Sequence, residues 1–238
     1  TRIFNPLRHH SANSPSVVCG AVYSSGISAR PAAPTDIAAA CVLWQNYIRR
    51  IADESGDMSD YAAARTAMVD RQVRPSDVTS FPIIEAMLAV PREQFAPDFA
   101  RPVAYADAPL QQGKGRYSLE PRVLAKMLDG ARIGPDDLVL DLAPGLGYST
   151  AVIARLSAAV IALEPDEDLA AAATEALAAN DIDNALIRPG VAAEGDAAHG
   201  PFDAIFINGG VEDVPNALLM QLKDGGRLVA IQIDGAGG

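Results

Sequence analysis

The sequence predicts an α/β protein with a doubly wound, mostly parallel sheet. Three observations predict it. From Leu138 onward, short apolar runs rich in Val, Ile and Leu alternate with alanine-rich helical patterns, the alternation that builds a parallel sheet covered by helices. The first run ends in a carboxylate and turns through small residues, Asp141-Leu142-Ala143-Pro144-Gly145-Leu146-Gly147, before helical periodicity resumes. The second run ends in another carboxylate, Glu164, where open α/β sheets bind their ligands.

Each element follows from local pattern. Residues 1–34 are rich in Ser, Pro, Ala and Gly without sustained periodicity and read as poorly ordered. Thr35 is placed to cap a helix over about 36–54, in which Ile37, Ala40, Cys41, Trp44, Ile48 and Ile51 form one apolar stripe. Trp44 is read as a packing residue of that stripe. Ser55-Gly56-Asp57 ends it. The organisation is therefore an N-terminal extension, 1–57, and one domain, 58–238. The domain opens with a helical pattern over 61–73, closed by Arg74-Pro75. Ser76-Asp77 starts a second helix through Ile83, Ile84, Met87 and Leu88, which ends near Val90-Pro91. Residues 96–120 read as loop. Pro121 opens a helix over 123–128. Strands are expected at 138–141, 160–164, 185–187, 202–208 and 227–233, with helices at 149–156, 169–179 and 215–222 between them. Gly225-Gly226 is expected to turn the last helix into the last strand.

Composition narrows the function. The 238 residues carry a net charge of −11. The excess is confined to the domain: residues 1–57 sum to +1 and residues 58–238 to −12. Such a surface repels phosphate backbones, so nucleic acid is a poor partner. The two cysteines, Cys19 and Cys41, both precede the domain, and the three histidines are scattered, so neither a disulfide framework nor a metal site is expected. No apolar run approaches a bilayer span and no basic-then-apolar leader opens the chain, so a cytoplasmic protein with no membrane partner is expected. The sequence does not fix the oligomeric state; a monomer is the favoured reading.

The turn after the first strand points to a nucleoside-type cofactor. Gly145 and Gly147 lack a Cβ, so a ligand is expected to lie against the backbone there. Glu164 is placed to accept two hydrogen bonds from ribose hydroxyls, each contributing on the order of 1.5–3 kcal/mol. A dinucleotide site wants a third glycine, but Thr150 stands in that place counting from Gly145 and Tyr148 counting from Ala143. Asp141, a carboxylate just ahead of the loop, suits a ligand that carries an ammonium group. S-adenosyl-L-methionine fits that description. The candidate cofactor residues are Asp141, Ala143, Pro144, Gly145, Gly147, Glu164 and Asn208.

With those residues in view, the stretch from about Met68 to Val229 resembles the protein-L-isoaspartate O-methyltransferase family of seven-strand, S-adenosylmethionine-dependent enzymes. The resemblance is carried by Met68-Val69 with Gln72-Val73, by Glu85-Ala86-Met87, by Val90-Pro91-Arg92-Glu93-Gln94-Phe95, and by Ala104-Tyr105-Ala106-Asp107-Ala108-Pro109-Leu110 followed by Gly113 and Gly115. Phe202-Asp203-Ala204-Ile205 and Gln221-Leu222 through Gly225-Gly226-Arg227-Leu228-Val229 continue it. It implies a Rossmann-like methyltransferase fold with a helical N-terminal segment. It implies methyl transfer to the α-carboxyl of L-isoaspartyl residues in aged proteins, whose esters then cyclise. Because a carboxylate is already nucleophilic, alignment and water exclusion supply most of the acceleration.

The chain also departs from the pattern. After Gly115 the family continues Gln, Thr, Ile, Ser, Gln, Pro; here the run is Arg116-Tyr117-Ser118-Leu119-Glu120-Pro121. The family's serine falls on Leu119 and its threonine on Tyr117. Arg116, Tyr117 and Ser118 are the candidate catalytic residues, with Arg116 pairing a substrate carboxylate. Ser118, one place early, is expected to face another way on a regular backbone. Gly190-Val191-Ala192 replaces Gly-Asp-Gly after the third strand, and Gly195-Asp196 is the candidate substitute for the adenine-side acid. The fold normally adds a helix and two strands beyond Gly238, so the sequence reads as a fragment with its fifth strand a bare edge. Two alternatives stand beside the isoaspartyl reading: a divergent methyltransferase on a small molecule or another protein group, and a non-catalytic S-adenosylmethionine-binding protein.

Overall fold

The computed structural model describes residues 16–19, 60–113 and 115–233. The expected helix at 36–54 and its Trp44 stripe lie outside them. The chain forms β1 (Ser16–Cys19), α1 (Tyr61–Met68), α2 (Phe81–Ala89), β2 (Leu110–Gly113), β3 (Arg116–Ser118), α3 (Pro121–Ala131), β4 (Leu138–Leu142), α4 (Tyr148–Ala154), β5 (Ala159–Glu164), α5 (Glu167–Ala179), β6 (Ala185–Pro189), β7 (Phe202–Val211), α6 (Asn216–Leu219) and β8 (Leu222–Gln232). Strands β4 to β8 and β1 make one parallel sheet in the order β1-β8-β7-β4-β5-β6.

That order carries the chain outward from β4 to β6 and then back across β4 to β7. The order therefore reverses between β4 and β7, where an open sheet leaves a crevice beyond its carboxyl ends. Both faces of the sheet are buried. Val139, Val160, Ala162, Ala204 and Phe206 join one core with side chains of α1 to α5. Their neighbours Leu140, Leu142, Ile161, Leu163, Ile205 and Ile207 join a second core with Leu218 of α6. The period-two alternation of apolar residues on both faces is why these strands read as continuous apolar runs.

The N-terminal helical segment is tied to the domain by polar contacts as well as by Met68 and Val73. Arg65 donates to the Tyr105 hydroxyl at 2.9 Å and pairs with Glu93 at 3.3 Å, and Tyr105 in turn donates to Glu93. Burial and the Glu93 carboxylate hold the Tyr105 phenol above its ordinary range.

Several expectations need correction. The helix starting at Ser76-Asp77 begins at Phe81, after Asp77 has taken a left-handed φ of 60°. The loop expected over 96–120 contains a hairpin, β2–β3. Its residues Leu110-Gln111-Gln112-Gly113 lack the alternation that marks a half-buried strand. Gly225, at φ 77°, turns the chain within an irregularity of β8 instead of ahead of the strand. Inside the stretch read as poorly ordered, Ser16–Cys19 pairs with β8, Ser16 opposite Arg227 and Cys19 opposite Ala230, so the edge of the fifth strand is covered there.

Two features of the β4 turn set the site. Asp141 is completely buried, on the face of β4 that looks toward α4. Its Oδ2 accepts from Ser149 Oγ at 2.9 Å and Thr150 Oγ1 at 2.7 Å, and its Oδ1 from Asn208 Nδ2 at 2.5 Å. Burial pushes its carboxyl up to about 6; the three hydrogen bonds pull the other way and the charge of Glu164 adds to the rise. The chain then passes through left-handed backbone at Ala143 (φ 57°), Gly145 (φ 63°) and Gly147 (φ 90°).

Ala143 is the one of these three with a Cβ, which left-handed backbone penalises by about 1–2 kcal/mol. Ala143→Gly is expected to stabilise the fold by about 1 kcal/mol and raise the melting temperature by roughly 2–4 °C in a thermal scan. Asp141 sets a pH dependence. Between the ordinary value of 3.8 and about 6, the folded chain holds a proton that the unfolded chain has released. Its contribution to stability therefore falls as pH rises through that window. Urea unfolding of wild type and Asp141→Asn should show the wild type losing ground by on the order of 2–3 kcal/mol between about pH 4 and pH 7.

Candidate active site

The carboxyl ends of β4, β5 and β7 meet the β2–β3 hairpin. Ala143 and Asn208 stand on either side of the switch point. Glu164 ends β5 with its side chain wholly buried. Four contacts surround that carboxylate. Gly145 N donates to Oε2 at 2.7 Å and Asp166 N to Oε1 at 3.2 Å. Arg116 Nη2 reaches both oxygens, at 2.9 and 2.6 Å. A carboxylate offers about four lone-pair directions, and all are in use. The same guanidinium lies 3.4 Å from Ala143 O.

The hairpin explains how Arg116 gets there. Its pairing runs Gln111 opposite Tyr117 and Gly113 opposite Arg116, which leaves Gln112 as an extra residue on β2. A bulge of this kind re-aims a side chain. Gln112 turns onto the cofactor loop: its Oε1 accepts from Leu146 N at 3.4 Å and lies 1.7 Å from where a Cβ on Gly145 would be. Its Nε2 is buried with no hydrogen-bond partner among the described residues. The Gly145 backbone therefore does admit a polar group at contact distance, as the missing Cβ suggested. Gly147 serves a different purpose. A Cβ there would sit 3.2 Å from Ala173 Cβ, so this glycine lets α5 pack close and does not open the loop to a ligand.

Ser118 faces inward, correcting the expectation that it points elsewhere. On β3 the period of two puts Arg116 and Ser118 on one face and Tyr117, half exposed, on the other. Ser118 Oγ accepts from Arg92 Nη2 at 2.8 Å, and the same nitrogen donates to Leu119 O at 2.7 Å. Arg92 Nε donates to Ala104 O at 2.8 Å, and the guanidinium lies 4.5 Å from the centre of the Tyr148 ring. Arg92 is fully buried and Nη1 has no hydrogen-bond partner among the described residues. Burial pushes its guanidinium below the usual range, opposed by the nearby Tyr148. Neither Arg92 nor Gln112 was singled out from sequence as a site residue. Arg92 was visible only as part of the Val90-Pro91-Arg92 stretch, and Gln112 required knowledge of the bulge.

A cavity of about 610 Å³ opens beside these groups, in the size range of small-molecule sites. The hairpin side is Arg116, Tyr117, Ser118 and Leu119; the sheet side is Ala143, Ile207 and Asn208. A second space of about 10 Å³ adds Arg92, Pro144 and Tyr148. Of the residues expected to meet a cofactor, Ala143, Pro144 and Asn208 line one or both spaces. Gly145 and Glu164 lie beneath Gln112 and Arg116. Asp141 does not meet the cavity: its oxygens are taken by Ser149, Thr150 and Asn208, so it positions Asn208 and the start of α4 in place of pairing an ammonium group. Asp196 is no adenine partner in this arrangement. It is clasped by Arg188 at 2.9 Å and by His199 at 2.9 Å. Burial would raise its carboxyl, but the bonds from His199 and Arg188 outweigh that and hold it below the usual range. No group of three or more metal-ligating side chains is assembled among the described residues.

The residues fit a nucleoside cofactor of the expected kind. A buried carboxylate at the end of β5, a glycine whose Cβ space already admits an amide, and a crevice at the switch point are the parts such a ligand needs. The comparisons with known proteins agree. The family model for protein-L-isoaspartate(D-aspartate) O-methyltransferase matches residues 63–234. A Koribacter versatilis protein-L-isoaspartate O-methyltransferase is 37% identical over 175 residues, covering 74% of this chain and 79% of its own length. One from Methylorubrum extorquens is 40% identical over 176 residues, covering 74% and 76%. A Plasmodium falciparum beta-aspartate methyltransferase structure in complex with S-adenosyl-L-homocysteine superposes with a TM-score of 0.64 at 22% identity, over 72% of this chain and 85% of that one, which speaks to the fold. The chain belongs to the protein-L-isoaspartate O-methyltransferase family.

Proposed function

We propose that this chain transfers the methyl group of S-adenosyl-L-methionine to the α-carboxyl of L-isoaspartyl residues in damaged proteins. The observation that carries the reading is the pairing of a buried ribose-type carboxylate, Glu164, with an adjoining cavity whose polar lining includes Arg116 and Ser118. Family membership supports the same chemistry.

The cofactor supplies an electrophilic methyl group; this chain's residues bind, orient and exclude water. Glu164 holds the ribose hydroxyls once its guanidinium partner gives way. The backbone of Ala143, Pro144 and Gly145, with Asn208, borders the space for the methionine end. Arg116 and Ser118 donate to the acceptor carboxylate. They do not need to remove a proton, because that oxygen is already anionic at neutral pH. Arg92 fixes the Ser118 oxygen from below, so the hydroxyl is held at the cavity wall. Leu119, Ile207 and Ile231 make the wall apolar, which strengthens each of these polar contacts. Tyr117 stands at the exposed mouth.

The acidic surface argues against nucleic acid as a partner. No helix among the described residues is long and apolar enough to cross a membrane. The proposal includes a cytoplasmic setting and a monomer working alone.

The deciding assay supplies an isoaspartyl peptide with labelled S-adenosylmethionine and counts base-labile methyl ester. Ester above the level for the normal aspartyl peptide is expected, and equal levels would refute the acceptor assignment. Glu164→Ala removes two charge-assisted contacts to the ribose and should weaken cofactor binding by about 100-fold or more in calorimetry. Undiminished affinity would remove Glu164 from the ribose role.

A further inference from the structure

Arg116 and a ribose make the same demand on Glu164. Two of the four contacts on that carboxylate are backbone N–H groups of Gly145 and Asp166, fixed by the loop and by the start of α5. The other two come from one nitrogen of Arg116. Ribose hydroxyls have only those two directions available to them. The sugar and the guanidinium are therefore alternatives at one pair of oxygens.

Arg116 is well placed to leave. Its side chain is 32% exposed while that of Glu164 is 0% exposed. It sits on a three-residue strand of a two-stranded hairpin that is separate from the main sheet. It already lines the 610 Å³ cavity, so a short swing keeps it at the wall where an acceptor would lie. Gln112 on the same hairpin covers Gly145. One movement of the hairpin would clear both halves of the cradle.

We propose that Arg116 is shared between the two substrates: it occupies the sugar-binding oxygens of Glu164 until the cofactor's ribose displaces it, and the released guanidinium then binds the acceptor's carboxylate. The inference rests on the methyltransferase reading above. Its consequence is an order of addition, cofactor first. Until the sugar arrives, the cation that the acceptor requires is engaged elsewhere. The cofactor's apparent affinity is reduced by the fraction of chains in which the pair is closed.

Removing either partner of a merely structural ion pair would weaken cofactor binding. Here the two removals have opposite effects. Calorimetry with S-adenosyl-L-homocysteine, which carries no net charge, reads this directly. Arg116→Gln is expected to bind it about three- to tenfold more tightly than wild type, whereas Glu164→Ala binds it more weakly. Raising KCl from about 50 to about 500 mM should tighten binding to wild type, because salt screens the partly exposed pair, and should leave Arg116→Gln unmoved. In turnover assays Arg116→Gln should raise the KM for an isoaspartyl peptide about tenfold with kcat changed much less. Equal or weaker binding of S-adenosyl-L-homocysteine by Arg116→Gln would overturn the displacement, and an unmoved peptide KM would overturn the transfer of the guanidinium to the acceptor. No heat from wild type or from Arg116→Gln would overturn the cofactor reading itself, and this inference with it.

Discussion

A buried carboxylate at the end of β5 organises this molecule. Taking Glu164 wholly out of water is expensive unless every lone pair finds a donor. The chain meets that requirement from three directions: the Gly145 amide of the β4 turn, the Asp166 amide at the entry to α5, and the Arg116 guanidinium of the hairpin. Each donor commits its segment to one position. The turn, the helix entry and the hairpin are thus held in mutual register by a single side chain. The same oxygens are the proposed seat of a sugar, and on that reading the contact that stabilises the site is also the one that binding disturbs.

Asp141 plays the complementary part. It is as deeply buried as Glu164 but is met by hydroxyls and an amide instead of a cation. Burial raises its carboxyl, and those hydrogen bonds oppose the rise without cancelling it. Two carboxylates flank one short turn, and the environment divides their duties. One is paired with an arginine beside the cavity. The other is sequestered beneath α4 and keeps Asn208 at the cavity wall. A third buried polar side chain, Arg92, has no carboxylate partner among the described residues. It is held by carbonyls, by Ser118 and by the face of Tyr148, with Nη1 left over, and it braces the hairpin from beneath.

Much of this was legible in the sequence. The strands from Leu138 to Ile233 announce themselves because both faces of a parallel sheet must be apolar, and Glu164 stands out as the carboxylate that ends such a run. The turn glycines were legible as a place of close approach, although only Gly145 meets a ligand-side group and Gly147 meets α5. What could not be read was set by pairing and not by periodicity. The direction of Ser118 depends on β3 pairing with β2 across a bulge at Gln112, and nothing in Leu110-Gln111-Gln112-Gly113 signals that bulge. Arg92 was hidden because a lone arginine after Val90-Pro91 gives no hint of complete burial. Asp141 was correctly placed on its strand, but its partners come from Ser149, Thr150 and Asn208, two of them across the turn at the start of α4 and one on β7.

The hairpin that carries Arg116 and Gln112 shares no strand pairing with the main sheet. Two short strands have little stability of their own in water, and this pair is secured by side chains that meet Glu164, Gly145 and Arg92 and by Leu110, buried with Ala96, Ala100 and Ala104. Its amides can thus exchange with solvent by a local excursion that leaves both cores intact. On the proposed reading, traffic into the crevice is governed by the free energy of that excursion. The rigid sheet is insulated from turnover, and the pace of ligand entry can drift during evolution by changes in two or three hairpin residues without touching the thermal endurance of the whole.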